Sequence, residues 1–327
     1  MRKSLELLII FLLSTSLITS GAMAQETGCS KVYSSLVFDE ETGNILSETR
    51  SEQVSYPASL VKLMTLYLTF EAIENHKFTP DKVLTVSAYG EEIARVNKNN
   101  SLKLKEGDKI TVREAIYAVI VKSFNEAAVT LAEAVADDEW EFVRLMNKKA
   151  EELGMSNTSF SNASGLHSEG QYTTSFDLAR LVIAIKKDFP EYYHLFSTKK
   201  FSYHGTKYET HNHVLVDYKG AEGLKTGFTN ASGFNLISAA KKGKTRVISI
   251  LMGCSTYQRR DQLTKRLLDE AFKKVGNEHS QIAVKLSKGF NYEDEDKKQE
   301  KQREKKFKVE VKLDGAKKKR YILKKSH

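Results

Sequence analysis

Residues 56–65 read YPASLVKLMT, which sets Ser59 three positions before Lys62 at the head of a run that stays largely apolar to Phe70. The polar members of that run, Ser59, Lys62, Thr65 and Thr69, recur at spacings of three and four, so they form one narrow stripe on a helix that is apolar elsewhere. Such a helix is buried nearly all round. Pro57 marks its start, with Ser59 as the expected cap. Because residues i and i+3 share a face, the Lys62 amine can reach the Ser59 hydroxyl. Taken alone the pair is ordinary, since a capping serine and a snorkelling lysine account for it. Burial changes its meaning. A serine hydroxyl needs a neighbouring base, an amine is a base only when neutral, and apolar surroundings disfavour the ammonium.

Outward from this helix, Lys31 to Phe38 alternates as a strand and DEETGN (39–44) is turn-rich, predicting an opening hairpin. Helical spacing then covers Val112 to Val121, Glu126 to Val135 and Asp138 to Leu153, with Gly154 as terminator. A further helix opens at Ser175 and Asp177 and closes at Phe189-Pro190. After Gly223 come two short apolar runs, Gly233 to Ala239 and Thr245 to Met252, separated by KKGK and read as antiparallel strands; an amphipathic helix follows from Arg259 to Lys274. Strands at both ends with helices between them imply a sheet assembled from distant segments, plus a helical subdomain.

Two more polar elements stand out. Ser123-Phe124-Asn125 lies at the predicted break between two helices, and Lys225-Thr226-Gly227 opens a predicted strand. Each alone is commonplace, a turn and a solvated edge lysine. Together and in this order, Ser-x-x-Lys, Ser-x-Asn and Lys-Thr-Gly form the signature of penicillin-binding proteins and serine β-lactamases. With FSNASGLH, DFPEYYHLFS and EGLKTGFTNASGFNLISAA added, the chain from about Val32 to Phe272 resembles the serine-type D-Ala-D-Ala carboxypeptidases, the low-molecular-mass penicillin-binding proteins.

That resemblance implies an α/β (α+β) fold of the β-lactamase/transpeptidase type: an antiparallel sheet flanked by helices, plus a helical subdomain. It implies Ser59 as nucleophile, Lys62 as its base and Ser123 as proton relay to the leaving amine. Asn125 would hold Lys62 and the substrate backbone, and Lys225 and Thr226 would bind the terminal carboxylate. The oxyanion hole would be the backbone N–H groups of Ser59 and Phe228, with Gly227 letting substrate lie close. By the same resemblance the substrates would be peptidoglycan stem peptides ending in D-Ala-D-Ala, with β-lactams as covalent inhibitors. Phe124, where a small residue is usual, is expected to narrow the cleft or shift substrate preference. The first strand would lie antiparallel to the last, making Cys29 and Cys254 neighbours and a disulfide between them worth up to about 5 kcal/mol.

Competing readings have their own requirements. A class A-like β-lactamase needs a Glu-x-x-Leu-Asn glutamate for deacylation, and none follows Asn125. A D-Ala endopeptidase uses the same machinery, and sequence hardly separates it. A non-catalytic wall- or membrane-binding module has no need of a buried lysine base. His167, His194, His204, His211 and His213 come without a carboxylate or cysteine framework, so neither a metal nor a cofactor is expected.

Residues 1–24 have the basic start, apolar core and Ala22-Met23-Ala24 ending of a cleaved export signal, which points to the periplasm or cell envelope. The net charge of +9 is local. Residues 285–327 hold 16 Lys+Arg and 8 Asp+Glu, while Gln25 to Val284 holds 33 of each sign. A catalytic body at 25–276 is thus followed by a charged tail, 277–327, expected to be disordered or marginally helical. Its charge suits anionic lipid or wall polymer, peripherally bound, rather than nucleic acid.

Overall fold

The computed structural model describes residues 29–98, 100–276, 307–314 and 318–325, with side chains for 33–98 and 100–275. The export signal expected at 1–24 and the stretch 277–306 lie outside the described residues. The chain divides into two compact units, 1–282 and 283–327.

In the first unit the order is β1 (Cys29–Asp39), β2 (Ile45–Thr49), α1 (Lys62–Glu74), β3 (Val83–Thr85), α2 (Ala88–Val96), β4 (Lys109–Thr111), α3 (Val112–Tyr117), α4 (Asn125–Ala136), α5 (Glu139–Glu152), α6 (Ser175–Asp188), β5 (Lys200–Tyr203), β6 (Thr206–Glu209), β7 (Ala221–Thr229), β8 (Gly233–Lys242), β9 (Thr245–Cys254) and α7 (Tyr257–Gly276), with shorter turns between. Five strands form an antiparallel sheet in the order β2-β1-β9-β8-β7, so the first long strand lies beside the last. That leaves β7 as a free edge.

Strand alternation gives the sheet two buried faces. Val37, Leu236, Ala240, Val247 and Leu251 pack against Leu263, Leu267, Leu268 and Ala271 of α7. On the opposite parity, Ser34 bonds Ser175 at the start of α6 (Oγ to Oγ, 2.7 Å), and α6 packs on β1 and β9. In the helical subdomain α4 is the hub, touched by α1, α2, α3 and α5. Its residues from Asn125 to Ala132 are all buried, which is why VIVKSFNEAAVTL carries so little charge.

The expected architecture is present, with α2 and the β3–β4 and β5–β6 pairs in addition. The tail differs from expectation. Its two described segments, β10 (Phe307–Asp314) and β11 (Lys318–Lys325), pair as an antiparallel hairpin that sets Val309 opposite Leu323 and Val311 opposite Tyr321. The reason is local: FKVEVKL alternates with period two, a signal that the charge of the whole tail conceals.

The β1–β9 register sets Cys29 opposite Cys254, and no described cysteine is free. We therefore expect intact mass to rise by two hydrogens on reduction. Two thiols alkylated without reductant would count against the bond.

Candidate active site

Ser59 sits in a 3-10 turn, Ala58–Val61, that runs directly into α1. It does not cap the helix as expected. The N-cap of α1 is Val61 and that of the 3-10 turn is Pro57, neither with a side-chain bond, and the Ser59 hydroxyl is kept for the side chain one turn on. Lys62 opens α1 with no accessible surface. Its Nζ lies 3.1 Å from Ser59 Oγ and donates to Asn125 Oδ1 (2.6 Å) and to the Ser164 carbonyl. Two of these three partners have no proton to give, and the third is a hydroxyl. A neutral amine satisfies all three, with two N–H groups directed outward and a lone pair towards the Ser59 proton. Burial pulls Lys62 from 10.5 down to about 7, against an upward pull from Glu126.

Of the rest of the polar stripe, Thr65 docks on the same loop and Thr69 bonds back into its own helix. Thr65 Oγ1 donates to the Ala163 carbonyl (2.6 Å) and Thr69 Oγ1 to the Thr65 carbonyl (2.7 Å). Gly165 closes this contact at φ +79°, where a Cβ would fall 2.1 Å from the Ala58 carbonyl oxygen, so only glycine fits.

Beyond α3 the helix widens into a π turn, Ala118–Lys122, and stops at Ser123 in the left-handed region (φ 61°). Asn125 then begins α4. This is the predicted helix break. Ser123 Oγ is buried without a hydrogen-bond partner among the described residues, and Ser123 lines the cleft. Phe124, expected to narrow that cleft, is instead buried against Tyr208 of β6, ring edge to face at 5.4 Å.

The third element runs along the free edge of β7, where alternate backbone N–H groups face away from β8. A Cβ on Gly227 would lie 3.1 Å from the Pro57 carbonyl and 3.3 Å from the Ser59 nitrogen, so strand and turn are in contact. Ser59, Ser123, Thr226, Gly227, Phe228 and Arg260 line one cleft of about 340 Å³. Lys225, expected at the carboxylate, is buried behind that wall with Nζ donating to the Thr226 carbonyl (2.9 Å). Burial first, then the charges of Lys62 and Arg260, push its amine far below the usual lysine range.

The family model described as D-alanyl-D-alanine carboxypeptidase matches residues 22–256, a span holding all three polar elements. The chain belongs to this family. D-alanyl-D-alanine carboxypeptidase DacD of Escherichia coli K12 is 38% identical over 236 residues, 71% of this chain and 61% of that protein. Among solved structures, penicillin binding protein 6B from Escherichia coli matches at TM-score 0.68 and 32% identity, covering 89% of this chain and 82% of that one. Penicillin-Binding Protein D2 from Listeria monocytogenes, in an ampicillin-bound form, matches at 0.64 and 32%, covering 73% and 96%. This chain spans about three fifths of the length of the DacD relatives.

Four features of this carboxypeptidase-family site escaped the sequence reading. Asn235, buried on β8, donates from Nδ2 to the carbonyls of Tyr56 (3.2 Å) and Pro57 (3.1 Å) and accepts from Gly253 N (2.9 Å), fixing the chain that leads into Ser59. Glu126, fully buried beside Asn125, accepts from Leu102 N (2.5 Å); burial raises its pKa. Arg260 faces the cleft and pairs with Asp261 (2.7 Å), which also bonds His213 (3.0 Å). His211 bonds Thr226. The two histidines thus serve separate partners. An asparagine inside the apolar strand GFNLISAA, and a glutamate beside Ser-x-Asn, were signals open to reading.

Acylation by a fluorescent penicillin should therefore slow as pH falls through about 7, where Lys62 takes up its proton. Glu126→Gln removes the charge that raises Lys62, so this limb should move to lower pH. A limb that stays in place or moves up would contradict the coupling.

Proposed function

We propose that this protein is a serine peptidase that removes the terminal D-alanine from peptidoglycan stem peptides through an acyl-enzyme. The observation that carries the reading is the amine of Lys62, buried between Ser59, Asn125 and Ser164. Ser59 Oγ attacks the carbonyl of the penultimate D-alanine while its proton passes to the Lys62 lone pair. The oxyanion is received by the backbone N–H groups of Ser59 and Phe228. The proton moves through Ser123 to the leaving amine, D-alanine departs, and water then cleaves the ester. Thr226 and Arg260 stand at the end of the cleft where the terminal carboxylate belongs, with buried Lys225 adding its influence from behind.

The same geometry speaks against rapid β-lactam turnover. The remaining side of Lys62 is occupied by a backbone carbonyl of the 162–167 loop, and the one carboxylate bonded to that loop among the described residues, Glu139, is already engaged by Ala163 N (2.9 Å). Export to the cell envelope follows from residues 1–24, and among the described residues no helix is long and apolar enough to cross a membrane. The basic tail would associate peripherally with anionic lipid or wall polymer in a salt-sensitive way.

Purified protein should release D-alanine from a pentapeptide and retain benzylpenicillin on Ser59. Ser59→Ala should lose both by at least about a thousandfold. Phe228→Ala should cost far less, because a backbone donor survives the change. Release of cross-linked dimers to monomers without free D-alanine would favour the endopeptidase instead, and fast hydrolysis of benzylpenicillin would overturn the reading.

A further inference from the structure

We infer that His211 is a positioning residue for Thr226: its Nε2–H donates to Thr226 Oγ1 and so leaves the threonine proton to point into the cleft at a substrate carboxylate. This rests on the carboxypeptidase reading above. The two atoms are 2.7 Å apart and both residues line the cleft. A threonine hydroxyl has one proton and two lone pairs. Were the imidazole to accept that proton, Thr226 would offer the cleft only lone pairs, which repel a carboxylate. With the imidazole donating, the O–H is free to turn outward, and one of its staggered positions is selected over the others.

A protonated ring would also donate, but its surroundings oppose the charge. Lys225 on β7, Lys122 on the π turn, Arg260 on α7 and His213 two residues on all act against it, and together with burial, the largest influence, they pull His211 down to about 3. The ring is therefore neutral across the working range and acts by direction rather than by charge. Its backbone is held in turn: buried Asn212 accepts from Leu215 N (3.2 Å) and caps the short turn His213–Asp217. The next residue, His213, holds Asp261 against Arg260. The triplet His211-Asn212-His213 thus stands behind both groups that face the carboxylate end.

The test compares His211→Gln, whose amide Nε2 still donates, with His211→Leu, which cannot. Release of D-alanine from diacetyl-L-Lys-D-Ala-D-Ala and of D-alaninamide from the same peptide ending in a carboxamide is measured, together with acylation by benzylpenicillin. We expect the leucine variant to lose about tenfold in kcat/KM on the free acid, mainly through KM, and to lose preference over the carboxamide by the same factor. The glutamine variant should stay within about threefold of wild type. Equal losses in both variants, or an unchanged preference in the leucine variant, would overturn the assignment. If wild type releases no D-alanine yet is acylated by benzylpenicillin, the carboxypeptidase reading fails separately; the same leucine-versus-glutamine contrast in acylation rate then decides the role of His211.

Discussion

Lys62 has no accessible surface, and three segments far apart in sequence each bring one atom to its amine: the turn before α1, the head of α4 and the loop after α5. An ammonium removed from water is costly unless it is paired, and the partners of this one among the described residues are a hydroxyl, an amide oxygen and a backbone carbonyl. The amine escapes by giving up its proton. The displacement from 10.5 to about 7 corresponds to about 5 kcal/mol of disfavour for the charged form. Glu126 opposes part of it from inside the same subdomain, so the proton affinity of Lys62 is a balance between burial and one unseen carboxylate. Polar partners that accept but cannot donate then orient the lone pair, and the hydroxyl it faces is that of Ser59.

Holding this arrangement requires backbone that would not choose its own conformation. Ala58 and Ser123 both lie in the left-handed region without being glycine (φ 49° and 61°), at about 1–2 kcal/mol each. Each strained residue adjoins or carries a reactive hydroxyl. Ala58 is held from both sides, by Asn235 on the carbonyls of Tyr56 and Pro57, and by Gly165 pressed against its own carbonyl. Ser123 is held by the π turn before it and by the buried helix after it. The strain is local and its restraints come from the sheet, the helical subdomain and the intervening loop together.

Much of this was legible in the sequence, because the three polar elements each interrupt an apolar run, and an interrupted run identifies both the helix or strand and the residue displayed on it. The stripe Ser59, Lys62, Thr65, Thr69 gave the buried helix and its polar side. What remained hidden depended on contacts between distant segments. Nothing local to Asn235 tells that its amide reaches back almost 180 residues to Pro57. Nothing local to Phe124 tells that Tyr208 will cover it, whereas its place between Ser123 and Asn125 in the motif points towards the cleft. The burial of Lys225 is hidden for the same reason, since nothing local to an edge-strand lysine shows that it sits out of solvent with the charges of Lys62 and Arg260 acting on it. The β10–β11 hairpin failed differently: averaging charge over the tail erased a period-two pattern present over eight residues.

The seam between sheet and helical subdomain sets the length that can be measured. The nucleophile and its base belong to the helical side, while Thr226 belongs to β7, and the two are brought into contact where Gly227 meets the Ser59 turn. Along a strand, residues advance about 3.3 Å each. The edge N–H of Phe228 and the hydroxyl of Thr226 are therefore about two such steps apart. A peptide laid along this edge with its scissile carbonyl at the Ser59 turn reaches Thr226 with the next carboxylate in line. On the proposed reading, preference for a chain end follows from that short fixed interval: an amide in the same place meets the Thr226 hydroxyl without the charge that draws a carboxylate towards Arg260 at the cleft wall.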